Sequence, residues 1–98
     1  MRQFTLKATD PEKVIPMLQD MIQGETQRLK HSLMRSKKRL DQYESKYNIS
    51  SDLFMTEWAA EDLPGGDLEY IEWAGEFELA TRLQERIAVL ESIENVSP

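Results

Sequence analysis

At 98 residues the chain has the length of one small domain, with 40% apolar and 31% charged residues, a composition of soluble helical proteins and not of disordered ones. It has no Cys, which excludes disulfides, thiol catalysis and Cys-type zinc sites together. The net charge of -6 hides an asymmetry: Met1–Ile49 carries 10 Lys/Arg and 6 Asp/Glu, whereas Ser50–Pro98 carries 2 Lys/Arg and 12 Asp/Glu. An acidic whole argues against general nucleic-acid binding, because phosphate contact needs cationic surface. No apolar stretch of signal-peptide length opens the chain, and no run approaches the roughly 18–20 apolar residues that cross a bilayer. The expected setting is cytoplasmic, with no membrane partner.

Residues 1–9 are expected to be a short strand or an extended tail. "RQFTLKA" alternates Phe4, Leu6 and Ala8 against Gln3, Thr5 and Lys7, the period of two that a strand requires. A lone strand needs a second copy or another protein to pair with. "TDPEK" then starts a helix over 11–47, with Thr9 or Asp10 as cap, Pro11 at the first helical position and Glu12 in the first turn. Pro16 predicts a late start or a kink. Gly24 weakens this helix by about 1 kcal/mol relative to Ala without ending it. Steps of three and four through Ile22, Thr26, Leu29, Leu33, Ser36, Leu40, Tyr43 and Tyr47 make a heptad-like seam. Its soft positions, Thr26 and Ser36, either admit a close neighbour or weaken the seam.

"YNISSDLF" ends that helix. Asn48 suits a left-handed C-cap, and Ser50 or Ser51 caps a short helix over 51–60. "EDLPGGD" is a loop whose Asp67 serves as the next cap. A final helix over 67–93 carries the stripe Trp73, Phe77, Ala80, Leu83, Ile87, Leu90. The fold expected is all-α: a long antiparallel helical hairpin with a short connecting helix, as a single domain in a dimeric bundle. Met34, Tyr70, Ile71, Leu79 and Val89 fall partly off the main stripes, which favours a dimer or a partner helix. The basic stretch containing Arg28, Lys30, Arg35, Lys37, Lys38 and Arg39 is expected near the acidic third helix.

Chemistry is sparse. His31 is the only histidine and stands among Lys30 and Arg35 on a polar face, the pattern of a solvated residue and not of a ligand or base. Glu69, Glu72 and Glu76 can share a face, but di-iron bundles use Glu-x-x-His, and no His is available here. The reading is therefore no metal and no cofactor, with an acidic face that is solvated or docks a partner. "MRSKKRL" (Met34 to Leu40) lacks aromatic interleaving and is a weak nucleic-acid signal. A ribbon-helix-helix repressor would need a turn at Gly24, through which the seam runs. Trp58 and Trp73 read as core residues or, failing that, as interface anchors. No nucleophile–base pair supports an enzyme.

"KYNISSDLF" followed by "DLEYIEWAGEFELATRLQERI" resembles small bacterial and archaeal proteins with a K-Y-G-M-S-S/T-x-x-F segment, an acidic linker and a D-x-x-x-x-E-W-A-x-x-Y/F-E-x-x-x-R-L-x-E-x-L helix. These are often encoded beside a TumE-type toxin and look like its antitoxin. The resemblance is strongest from Lys46 to Leu90. It departs at Asn48, where the pattern has Gly, a change that the left-handed conformation tolerates. It departs also in "EDLPGGDLE", where the linker is usually more acidic. The resemblance implies a non-enzymatic protein that binds a cationic, RNA-acting toxin. The contact residues it points to are Glu69, Tyr70, Glu72, Trp73, Glu76 and Phe77, with carboxylates that imitate a polyanion and aromatic anchors that slow dissociation. Two alternatives stand beside it: a structural homo-oligomer, and a small DNA-binding regulator.

Overall fold

The computed structural model describes residues 5–58 and 66–93. Within them all regular structure is helical: α1 (Pro11–Tyr47), α2 (Ser51–Glu57) and α3 (Asp67–Glu91). Residues 5–8 form neither helix nor strand, and the first half of the anticipated strand lies outside the described residues. Helices α1 and α3 run antiparallel, since Lys46 meets Glu69 at one end of the hairpin and Lys30 meets Glu91 at the other. With 37 residues against 25, the N-terminal turns of α1 extend past the end of α3. The hairpin measures 60 × 26 × 18 Å.

Local chemistry explains each boundary. Asp10 is the N-cap of α1, but its side chain makes no cap bond; its carboxylate lies 3.7 Å from Lys13 instead. Pro16 produces no late start, because α1 is helical from Pro11 onward. Its missing N–H costs only one bond, to the exposed Glu12 carbonyl that water can reach. Gly24 is equally inside the helix, so the turn of a ribbon-helix-helix is absent there. Asn48 takes the left-handed conformation (φ 54°, ψ 45°) and ends α1, its N–H donating to the Glu44 carbonyl.

Ser50 caps α2 by accepting from the Leu53 N–H at 3.2 Å. The Glu44 carboxylate reaches back to accept from the Ser51 N–H at 2.8 Å, fastening the start of α2 to the last turns of α1. Helix α2 stops at Glu57, earlier than the 51–60 expected, because Trp58 turns to extended backbone (φ -103°, ψ 146°) and swings its ring toward Tyr47 and Phe54. The remaining residues of that expectation, 59 and 60, lie outside the described residues. Gly66, not Asp67, is the N-cap of α3, with a φ of 75° that glycine accommodates. Asp67 becomes the first helical residue, where its charge favours the helix dipole. The helix ends at Glu91 with Ser92 as C-cap, two residues short of 93.

The two stripes form the core. Leu40, Phe54, Trp73 and Ala80 are buried at the α2 end, and Leu29, Leu83 and Ile87 at the other, with Leu33 touching both groups. Ser36, one of the soft seam positions, is 1% exposed and gives close access to α3. Its Oγ lies 2.6 Å from the Glu76 Oε2 and 3.2 Å from the Glu76 carbonyl oxygen. Thr26, the other, bonds back to the Ile22 carbonyl at 2.8 Å, the usual way a helical Thr satisfies its hydroxyl. Among the described residues no helix is long and apolar enough to cross a membrane.

Trp73 is fully buried. Its ring stacks on Phe54 (centroids 3.7 Å apart, planes at 4°) and lies near-parallel to Tyr43 and Tyr47, at 5.3 and 5.6 Å. The indole N–H donates to the buried Ser51 Oγ at 2.9 Å. Trp73→Ala is expected to cost about 3–5 kcal/mol, a large part of a small domain's stability, as measured by urea unfolding followed by circular dichroism. Ser51→Ala leaves the indole N–H unpaired and is expected to cost about 1–3 kcal/mol. That loss should shrink in a Trp73→Phe background; full additivity would show that the bond contributes nothing.

Candidate functional site

The six α3 residues singled out in the sequence occupy its first three turns, but the fold uses them differently. Glu69 is committed to α1: its carboxylate accepts from Lys46 at 2.7 Å and its side chain is 17% exposed. Glu76 is committed as well, accepting from Arg39 at 3.1 Å and from Ser36, with its side chain 11% exposed. Trp73 is core. Tyr70 and Phe77 are half-buried and flank the core cluster, with Tyr70 tilted against Phe54 at 5.2 Å. Glu72 alone of the six is exposed; one of its oxygens accepts from the Tyr43 hydroxyl at 3.1 Å.

The basic stretch of α1 therefore meets the acidic helix as charge complementarity predicts, though through a selected subset. Lys30, Arg39 and Lys46 cross to α3. Arg28 pairs within α1 with Glu25, and Arg35 bonds to Ser32. Lys46 also sits 5.3 Å from the Tyr47 ring centroid, a cation–π contact that fixes its stem.

These neighbours move the local proton affinities. The Lys46 ammonium holds the Glu69 carboxyl below its ordinary range, and Glu69 in turn raises Lys46. Tyr43 is raised first by burial and then by its bond to Glu72. Tyr47 is raised first by the nearby Glu69 carboxylate and then by burial, with Lys46 opposing. Its buried hydroxyl makes no hydrogen bond of ordinary geometry among the described residues, so proximity to the carboxylate and loss of solvent carry the effect.

What remains open on α3 is a different surface from the one the carboxylates suggested. Leu68 and Ile71 are 68% and 63% exposed. A shallow groove of about 540 Å³ runs along the helix, lined by Met55, Tyr70, Ile71, Ala74, Phe77 and Glu78 among others. Tyr70, Ile71 and Leu79 announced this surface by falling off the main stripe. Gly75 carried a signal too, a glycine in mid-helix that costs about 1 kcal/mol relative to Ala. Among the described residues no group of three His, Cys, Asp or Glu converges as a metal site, and His31 is exposed on α1.

The shifts give a pH profile. The Glu69 contribution is complete above the pKa of a free carboxyl, about 4.3, and is lost as pH falls through the lower folded value. The Lys46, Tyr43 and Tyr47 contributions are complete below about pH 10 and are lost as pH rises through their raised folded values. Stability is thus expected to be flat in between and to fall at both ends. Ultraviolet titration should find Tyr43 and Tyr47 ionising above the ordinary phenol range, and Glu69→Gln should soften the acid limb and bring the ionisation of Tyr47 down, since that carboxylate is the first cause of its rise. No family, no curated protein and no solved structure matches this chain.

Proposed function

We propose that this chain is an antitoxin-like protein-binding module, without enzymatic activity of its own, that neutralises a cognate cationic toxin in the cytoplasm through α3 and also self-associates as a homodimer. The observation that carries the reading is the groove between α2 and α3, where Met55, Tyr70, Ala74 and Phe77 form an apolar floor with the Glu78 carboxylate at its edge. Glu78 is 63% exposed and bridges to Arg82 on its own helix, while the exposed Glu72 lies away from this groove, beside Tyr43. An apolar floor edged by an exposed carboxylate suits an amphipathic, positively charged element of a partner. The resemblance of Lys46–Leu90 to antitoxin-like proteins supports the same reading.

The geometry refines the expected contacts. Glu69 and Glu76 already neutralise α1 cations, and Trp73 has no surface to offer. The contribution of α3 to binding then falls to Tyr70 and Phe77 as apolar anchors, with Glu72 and Glu78 as steering charges.

The test is to purify the natively expressed protein from its source cells and identify by mass spectrometry what co-elutes. A stoichiometric small basic protein is expected; elution with no protein companion would overturn the reading. With that partner in hand, Glu72→Gln together with Glu78→Gln should slow association by about tenfold at low salt and leave dissociation little changed. Tyr70→Ala should instead accelerate dissociation. Binding kinetics indifferent to all three would remove this groove from the account.

A further inference from the structure

Positions 68, 71, 75, 79, 82 and 86 of α3 are spaced three and four apart and share one outward face of the helix. Leu68, Ile71 and Leu79 on it are 68%, 63% and 44% exposed. At its centre is Gly75, where a methyl group would meet nothing within 4 Å. Nothing inside the protomer therefore calls for a glycine that weakens the helix. Close approach of a second helix does call for one, because only a missing side chain lets backbones come near.

The charges on this face identify the second helix. Arg82 and Arg86, the only two cations after Lys46, both lie on it, toward its C-terminal end, while Glu72 borders its N-terminal end. Arg82 is spanned by Glu78 at 2.6 Å; Arg86 has no ion pair among the described residues. Acid at one end and base at the other is self-complementary when the helix meets its own copy antiparallel across a two-fold axis.

We infer that two copies of this chain pair through this face, α3 antiparallel to α3, about a two-fold axis near Leu79. Glu72 precedes that centre by seven residues and Arg86 follows it by seven, so each Glu72 meets the Arg86 of the other copy, twice per dimer. Gly75 lies one turn from the axis, where its missing side chain lets the opposing helix come close, beside the groove of about 410 Å³ formed by Arg39, Tyr43, Ile71, Gly75 and Leu79 with its neighbours. The Tyr43 hydroxyl holds the Glu72 carboxylate ready for this pairing. The inference rests on the homodimer part of the proposed function and is independent of any toxin.

The experiment is sedimentation velocity of the full chain at micromolar concentration, with helicity checked by circular dichroism. Wild type is expected to be a dimer. Gly75→Gln, whose Cβ meets nothing within the protomer, is expected to be a monomer of undiminished helicity. Glu72→Arg and Arg86→Glu are each expected to weaken the dimer by about tenfold or more, and their equimolar mixture to restore it. A monomeric wild type would overturn the homodimer itself. A dimer that persists in Gly75→Gln would overturn this face while leaving the homodimer standing. Failure of the mixture to recover would overturn the antiparallel register.

Discussion

Trp73 must satisfy two demands at once in this fold, and most of the surrounding structure follows from them. A large ring with no exposed surface needs aromatic neighbours on its faces, and its N–H needs an acceptor, since an unpaired donor in such a place is costly. Phe54, Tyr43 and Tyr47 meet the first demand and Ser51 the second. Phe54 and Ser51 are both on α2, a helix of seven residues too short to persist alone. Trp73 therefore holds α2 in place, and α2 in return seals the open end of the hairpin. The left-handed Asn48 and the Glu44 carboxylate set the angle at which α2 leaves α1, so that its buried face arrives over the indole.

Charge arranges the long contact that the apolar stripes leave underdetermined. Two helices with stripes of leucine and alanine can slide by a turn at modest loss. Lys46 to Glu69, Arg39 to Glu76 and Lys30 to Glu91 lie at three heights along the hairpin, and a slip would break all of them together. Individually, pairs this exposed contribute little. Their value is in fixing register, aided by Ser36, whose small side chain lets Glu76 reach inward and be bonded there.

The same commitment of carboxylates shapes the functional reading. A helix with Glu69, Glu72 and Glu76 looks like an imitation of a polyanion when read alone, yet two of these charges are balanced within the protomer. What α3 presents outward is an apolar ridge around Ile71 and Gly75 that continues toward Arg82 and Arg86, with an aromatic-floored groove along one side. The proposed foreign partner and the proposed second copy would thus meet adjacent surfaces of one helix.

The spacing of apolar residues sufficed for the helical class, the two seams and the hairpin, because a period of 3.6 is a local property of the chain. Asn48 as a left-handed cap and the attraction between the basic and acidic stretches were legible for the same reason. The fate of individual side chains was not. Whether Trp73 anchors a partner or the core depends on α2 folding back over it, and no local pattern encodes that. Whether Glu69 and Glu76 face solvent or α1 depends on the antiparallel register, which brings together residues 23 to 40 positions apart. The end of α2 fell short of its expected span because Trp58 answers to tertiary contact, and the cap of α3 went to Gly66 and not Asp67 because backbone freedom leaves no periodic trace. Sequence thus determined which faces are apolar and which charged; only the tertiary structure decided which of them the protein keeps for itself.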